Sequence, residues 1–292
     1  MRDDWQSIAS HVTRVTGEAF SPSAPRRVGG GCINRAVVLA DERRRFFVKL
    51  NEPSLLPMFE AEAAGLAEMA ATGAIRVPRP LATGTTEAHA YLVMEHIGFG
   101  PGGDQSLAGR RLATMHRTCR ERFGWDRDNT IGSTPQTNRT TENWALFWRE
   151  QRLGFQLDLA ATNGFGGRLQ RQGEKLLEGV SALLEHAPQP SLLHGDLWGG
   201  NLGFDKTGSP VLFDPAVYYG DREADLAMTE LFGGFSSDFY AAYREAWPLD
   251  SGYRVRETLY NLYHILNHLN LFGGGYLDQA EQMIDRLLSE LR

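Results

Sequence analysis

Cysteine is scarce in this chain of 292 residues. Cys32 and Cys119 are the whole complement, which rules out a disulfide-stapled secreted scaffold. No apolar run approaches the length needed to cross a bilayer, and the N-terminus, MRDDWQSIAS, has no signal-peptide core, so the expected setting is cytoplasmic without a membrane partner. Basic residues are not in excess. Thirty Lys and Arg against 36 Asp and Glu leave a net charge of −6, which argues against nucleic acid or an acidic membrane as partner. There is no internal repeat and no low-complexity tract. A composition of 42% hydrophobic and 23% charged residues is that of a soluble globular protein, long enough for one two-lobed catalytic unit or two domains.

The most informative text is His194-Gly195-Asp196-Leu197-Trp198-Gly199-Gly200-Asn201, followed by Phe213-Asp214-Pro215. Asp196 and Asn201 have the spacing of the protein-kinase catalytic loop H-R-D-x-x-x-x-N. Asp214 closes an apolar run, Val211-Leu212-Phe213, where a kinase carries its metal-binding aspartate. Phosphoryl transfer requires such a set. One carboxylate accepts the acceptor's hydroxyl proton, while an amide oxygen and a second carboxylate hold Mg²⁺ against the phosphates of ATP. Asp196 is therefore the candidate base, and Asn201 and Asp214 are the candidate metal ligands. As a bare turn, HGD would carry little weight; all three polar positions between apolar strands carry much more.

The other half of such a site is also legible. Val28 to Leu39 reads as strand, tight glycine turn, strand, with Gly29, Gly30, Gly31, Cys32, Ile33 and Asn34 as candidates to cover phosphate oxygens. It is neither a Walker A loop nor G-x-G-x-x-G. The next strand, Arg45-Phe46-Phe47-Val48-Lys49-Leu50, places Lys49 in an apolar run, which is costly unless the ammonium is paired. Met58 to Thr72 has helical spacing and offers Glu60, Glu62 and Glu68. Glu62 fits the pairing best because Leu66 and Met69 direct its face to the core, and Glu60 is second. Met94, Glu95 and His96 end a buried strand at the expected link between lobes, where backbone groups would meet an adenine edge.

Elsewhere, Asp3 to Val15 reads as an amphipathic helix with Trp5, Ile8, Ala9, Val12 and Val15 inward. Leu107 to Cys119 and the aromatic-rich Asn143 to Leu159 read as further helices. Gly98 to Gly103 is the one strong linker signal near the middle. Asp221 is placed to cap a helix, with Asp225 one turn in as a brace accepting backbone N–H bonds, and Arg222 with Glu223 as a surface pair of little value. Trp144, Phe147 and Trp148 fit core filling better than sugar stacking. His264 and His268, at i and i+4, lack a third ligand and read as packing residues. Cys32, inside the glycine loop, reads as an inert small residue.

HGDLWGGN, DPAVYYGDREADLAMTELFGGF and the GGGCIN loop together closely resemble the fructosamine kinase (ketosamine-3-kinase) family, over both halves of the chain. The resemblance implies an α+β, bilobal protein-kinase-like fold akin to aminoglycoside phosphotransferases. A small β-rich N-lobe would span 1–96 and bind nucleotide, and a larger, mainly helical C-lobe would span 97–292. It implies ATP and Mg²⁺ as cofactors, and phosphorylation of the 3-hydroxyl of a small-molecule or protein-bound ketosamine, which destabilises the adduct and removes it. Residue by residue it implies Asp196 as base, Asn201 and Asp214 as metal ligands, Lys49 with Glu62 as phosphate clamp, and Met94, Glu95 and His96 as the adenine linker.

Overall fold

The computed structural model describes residues 2–29 and 33–291. In chain order the first elements are α1 (Arg2–Thr16), β1 (Arg26–Val28), β2 (Arg35–Ala40), β3 (Arg45–Asn51), α2 (Leu56–Ala71), β4 (Pro80–Thr85) and β5 (Ala90–Glu95). They are followed by α3 (Gln105–His116), β6 (Asn129–Ile131), β7 (Thr134–Gln136), α4 (Trp144–Trp148), α5 (Phe155–Thr162), α6 (Arg168–Leu183) and β8 (Ser191–Leu193). The last are β9 (Leu202–Phe204), β10 (Pro210–Leu212), β11 (Tyr218–Gly220), α7 (Glu223–Leu231), α8 (Ser237–Ala246), α9 (Tyr253–Phe272) and α10 (Leu277–Glu290).

The chain divides into two compact units, 1–104 with 202–215, and 105–201 with 216–292. This differs from a single cut at 96/97. The glycine stretch after β5 stays with the first unit because it packs on the β9–β10 hairpin. Gly100 N–H donates to Phe204 O at 2.8 Å, and Asp104 N–H to Gly208 O at 3.4 Å. A Cβ on Gly103 would lie 2.3 Å from Gly208 O, so glycine is what permits this approach.

The first unit is built on an antiparallel sheet of order β1-β2-β3-β5-β4. Side chains alternate across it. Val48 and Leu50 join Ile8 and Val12 of α1 in one apolar cluster, while Lys49, between them, faces α2. Val15 departs from the expected inward stripe of α1 and is 46% exposed, because α1 ends at Thr16 and the chain turns away. Gly73, with φ of +62°, stops α2 one residue after its cap.

The second unit is mainly helical and organised around α9. Every residue from Thr258 to Asn267 is buried, Asn261, His264 and Asn267 included, as a helix enclosed on all sides requires. The expected helix over 143–159 is not uniform. Between α4 and α5, residues Arg149–Gly154 form a wider π-helical turn. It carries Arg152 fully inward, where its guanidinium donates to Thr137 O at 2.7 Å and to Asn138 Oδ1 at 2.7 Å, and lies 4.1 Å over the Tyr218 ring.

Candidate active site

In the first unit, Lys49 is 6% exposed and sits between two carboxylates. Its Nζ lies 2.6 Å from Glu62 Oε1 and 2.8 Å from Asp214 Oδ1. Burial works against the ammonium, but Glu62 and then Asp214 outweigh it, so its proton affinity rises and it stays charged. Burial and the neighbouring Asp214 raise the Glu62 pKa against the pull of Lys49. Of the two glutamates left open by the sequence, the structure pairs Glu62 with Lys49; Glu60 lies on the exposed side of α2. Asp214 is the one group of the three that faces outward, with a side chain 45% exposed. Its backbone sits at φ +58°, a strained region for a non-glycine residue that fixes where the carboxylate points.

Part of the glycine loop is visible at its edges. Gly29 ends the stretch after β1, and Ile33 and Asn34 lead into β2. Asn51 Nδ2 ties the exit down by donating to Ile33 O at 3.2 Å and to Asn34 Oδ1 at 2.8 Å. Gly30, Gly31 and Cys32 lie outside the described residues. At the end of β5, Met94 is buried and His96 follows the strand. Glu95 N–H donates to Arg79 O at 2.8 Å. Its side chain accepts from Arg76 at 2.7 Å.

In the second unit, β8 delivers the chain into the turn carrying Asp196. Gly195 has φ +82°, and a Cβ there would sit 2.1 Å from Ala216 O, so this position requires glycine. Asn201 Nδ2 donates to Asp196 O at 2.9 Å and Oδ2 at 3.2 Å, leaving the Asn201 amide oxygen for another partner. Asp225 holds the turn from beneath, as the sequence reading proposed: Oδ2 accepts His194 N–H at 2.7 Å and Oδ1 accepts Gly195 N–H at 2.8 Å. Burial opposes its charge, but His116 at 3.1 Å, with the backbone donors, prevails and lowers its pKa. His116, fully buried, was missed because no local spacing links it to Asp225, 109 residues away.

Arg222 and Glu223 are not a surface pair; both are buried and each serves a separate partner. Arg222 stacks 4.1 Å over Trp247 and donates to Trp247 O and Pro248 O, whereas Glu223 is gripped by Arg256 at 2.6 and 3.0 Å. Asp221 accepts from Glu223 N–H, from the Tyr260 hydroxyl and from His186. His186, Asp221 and Glu223 have the composition of a metal cluster, but these bonds satisfy both carboxylates within the protein. Trp144, Phe147 and Trp148 are buried and pack with Tyr260, Tyr263 and Tyr218, which makes them core. His264 is buried and His268 Nδ1 bonds the His264 carbonyl, a packing arrangement.

A buried lysine is clamped by a helix glutamate and an aspartate at a strand exit, and an Asp–Asn pair five residues apart sits on a glycine turn; these are residue types that phosphoryl transfer uses. Residues 4–290 match the family described as fructosamine kinase. The chain belongs to the fructosamine kinase family. It is 49% identical over 287 residues to a probable ketoamine kinase of Synechocystis sp., covering 97% of each chain. It is 45% identical over 281 residues to the chloroplastic protein-ribulosamine 3-kinase of Arabidopsis thaliana, covering 94% of this chain and 86% of that one. A crystal structure from Haemophilus somnus, assigned as a fructosamine-3-kinase, superposes with a TM-score of 0.90 at 31% identity over 98% of each chain. An aminoglycoside phosphotransferase in complex with ADP and hygromycin B superposes with a TM-score of 0.64 at 14% identity, which establishes the shared fold. The family is one of kinases, with the bilobal α+β fold, and no described helix is long and apolar enough to cross a membrane.

Proposed function

We propose that this kinase transfers the γ-phosphoryl group of ATP to the 3-hydroxyl of a ketosamine, free or on protein, and so acts in removing sugar adducts from amines in the cytoplasm. The observation that carries the reading is the extent of likeness to the ribulosamine 3-kinase, 45% identity over 94% of this chain, a span that takes in both units. In this reading each group has a task. Asp196 takes the hydroxyl proton. Asn201 and Asp214 offer amide and carboxylate oxygens, the donor type a hard cation such as Mg²⁺ accepts, and the half-exposed Asp214 carboxylate fits that use. Mg²⁺, when bound, neutralises phosphate charge during transfer. Lys49, held charged by Glu62, clamps phosphate oxygens, while the loop Gly29 to Asn34 covers them and the strand end Met94 to His96 receives adenine. A protonated ketosamine amine also suits a chain of net charge −6.

The test is ATP turnover across ribulosamines, erythrulosamines, fructosamines, kanamycin and choline, with ³¹P NMR to locate the new phosphate. The expected result is 3-phosphate on ketosamines, with a ribulosamine used at least as well as a fructosamine. Asp196→Ala should lower the rate by about 10² to 10⁴ while ATP still binds. Turnover with kanamycin or choline and none with any ketosamine would overturn the substrate and leave the kinase.

A further inference from the structure

Beside the exit of β5, within the first unit, lies a cleft of about 330 Å³ that shares with the phosphotransfer reading only His96, whose backbone rather than whose ring is given to adenine. Arg45 at the start of β3, Arg76 ahead of β4, His96 and Gly98 after β5, and Asp205 and Lys206 in the β9–β10 turn form its walls. Three cations face one carboxylate, and that carboxylate is spent. Asp205 Oδ2 accepts Arg76 at 2.6 Å, while Oδ1 accepts the Thr207 hydroxyl and N–H and the Ser209 N–H. The other arm of Arg76 is taken by Glu95. Arg45 and Lys206, by contrast, have no ion pair or side-chain hydrogen bond to another described residue, so their charge is uncompensated.

Lys206 also lies along the wall of the cleft. Its Cε would stand 3.1 Å from a Cβ on Gly98, so the lysine stem rests on that glycine and any larger residue would displace it. His96 reports the resulting field. Burial, then Arg45, Arg26 and Lys206, all lower its pKa, so three cations bear on a neutral ring in a concave wall. A concavity with net positive potential, one free guanidinium fork and one ammonium is complementary to a tetrahedral dianion. Its volume stands at the lower end of small-ligand pockets, enough for more than a bare phosphate.

We propose that this cleft is a second anion site, distinct from the phosphotransfer site, which binds a phosphate group, free or as the ester of a small sugar, between Arg45 and Lys206. Its test is NMR observation of the His96 ring during titration with inorganic phosphate, ribose 5-phosphate or ribose, with and without saturating ADP and Mg²⁺. Either phosphate should move the ring signal and raise its pKa, ribose should not, and the phosphate-induced shift, measured from the ADP-bound baseline, should be the same with ADP present. Tighter binding of ribose 5-phosphate assigns the site to esters; equal binding assigns it to phosphate itself. Arg45→Ala/Lys206→Ala should weaken the response roughly tenfold or more, with turnover at saturating substrates unchanged. Silence of His96 at millimolar phosphate, an undiminished response in the double variant, or loss of the response in ADP would each overturn the proposal. The last would place the anion in the nucleotide site, a result independent of whether the enzyme phosphorylates ketosamines.

Discussion

Lys49 is a buried charge that the fold tolerates because it is paired twice. Lys49→Met leaves Glu62 buried against Asp214 with no cation, and should cost about 3 kcal/mol in denaturant unfolding. Lys49→Met/Glu62→Leu should recover most of that stability and remain inactive, separating the structural cost from the chemical one. A double variant as unstable as the single one would show that Glu62 is not what Lys49 compensates. Asp214 behaves differently because its side chain is half-exposed. Asp214→Ala should fold well but lose Mg²⁺-dependent ATP binding, measured by calorimetry with and without the metal. Unchanged metal dependence would remove it from the metal site.

The turn between β8 and the Asp196 loop is held as an element, from two sides. Ala216 approaches it so closely that Gly195→Ala meets both a positive φ and a backbone oxygen 2.1 Å away. The variant should lose roughly 10²-fold or more in turnover, since displacements near an ångström cost that much. Wild-type rates in a folded variant would mean the turn is not what places Asp196. From the other side, α7 presents Asp225 to two backbone N–H groups and His116. Asp225→Asn keeps one acceptor oxygen and loses the other, stranding a buried donor at a cost of about 1–3 kcal/mol. Turnover should fall with it, whereas ATP affinity, for which Lys49, Asp214 and the loop Gly29 to Asn34 are proposed as the main contributors, should change little. The readout is a paired unfolding curve and nucleotide titration.

For the whole molecule, the enclosed helix α9 makes stability depend on pH. Burial, then His268, depresses the His264 pKa from 6.5 to about 3. Below pH 6.5 the unfolded chain therefore takes up a proton that the folded chain refuses. The contribution is fully present above 6.5 and drains as pH falls, at up to about 1.4 kcal/mol per pH unit. His268 is shifted downward too, with the same sign. Asp225, with its lowered pKa, adds a further loss below about pH 4. His264→Gln should flatten the acid limb of stability between pH 6.5 and 4, followed by urea unfolding at a series of pH values. An identical slope in the variant would show that another group carries it.

Local rules were enough for much of this protein. The β2–β3–β5 strands, the α2 helix with Glu62 on its core-directed face and the spacing of Asp196, Asn201 and Asp214 follow from periodicity and residue type, since each is set within a few turns of chain. Asp225 could be named as a brace because one helical turn fixes its direction. What lies far apart in sequence was decided by tertiary packing. The β9–β10 hairpin joins the first unit although it follows the catalytic turn, because Phe204 and Gly208 accept bonds from Gly100 and Asp104. Arg222 and Glu223 read as a solvated pair until Trp247 and Arg256 close over them. His116 meets Asp225 across 109 residues, and Arg152 turns inward through a π-helical step that helix propensity does not signal. Burial converts ordinary polar side chains into paired, pKa-shifted ones, and burial is a property of the assembled fold rather than of any window of sequence.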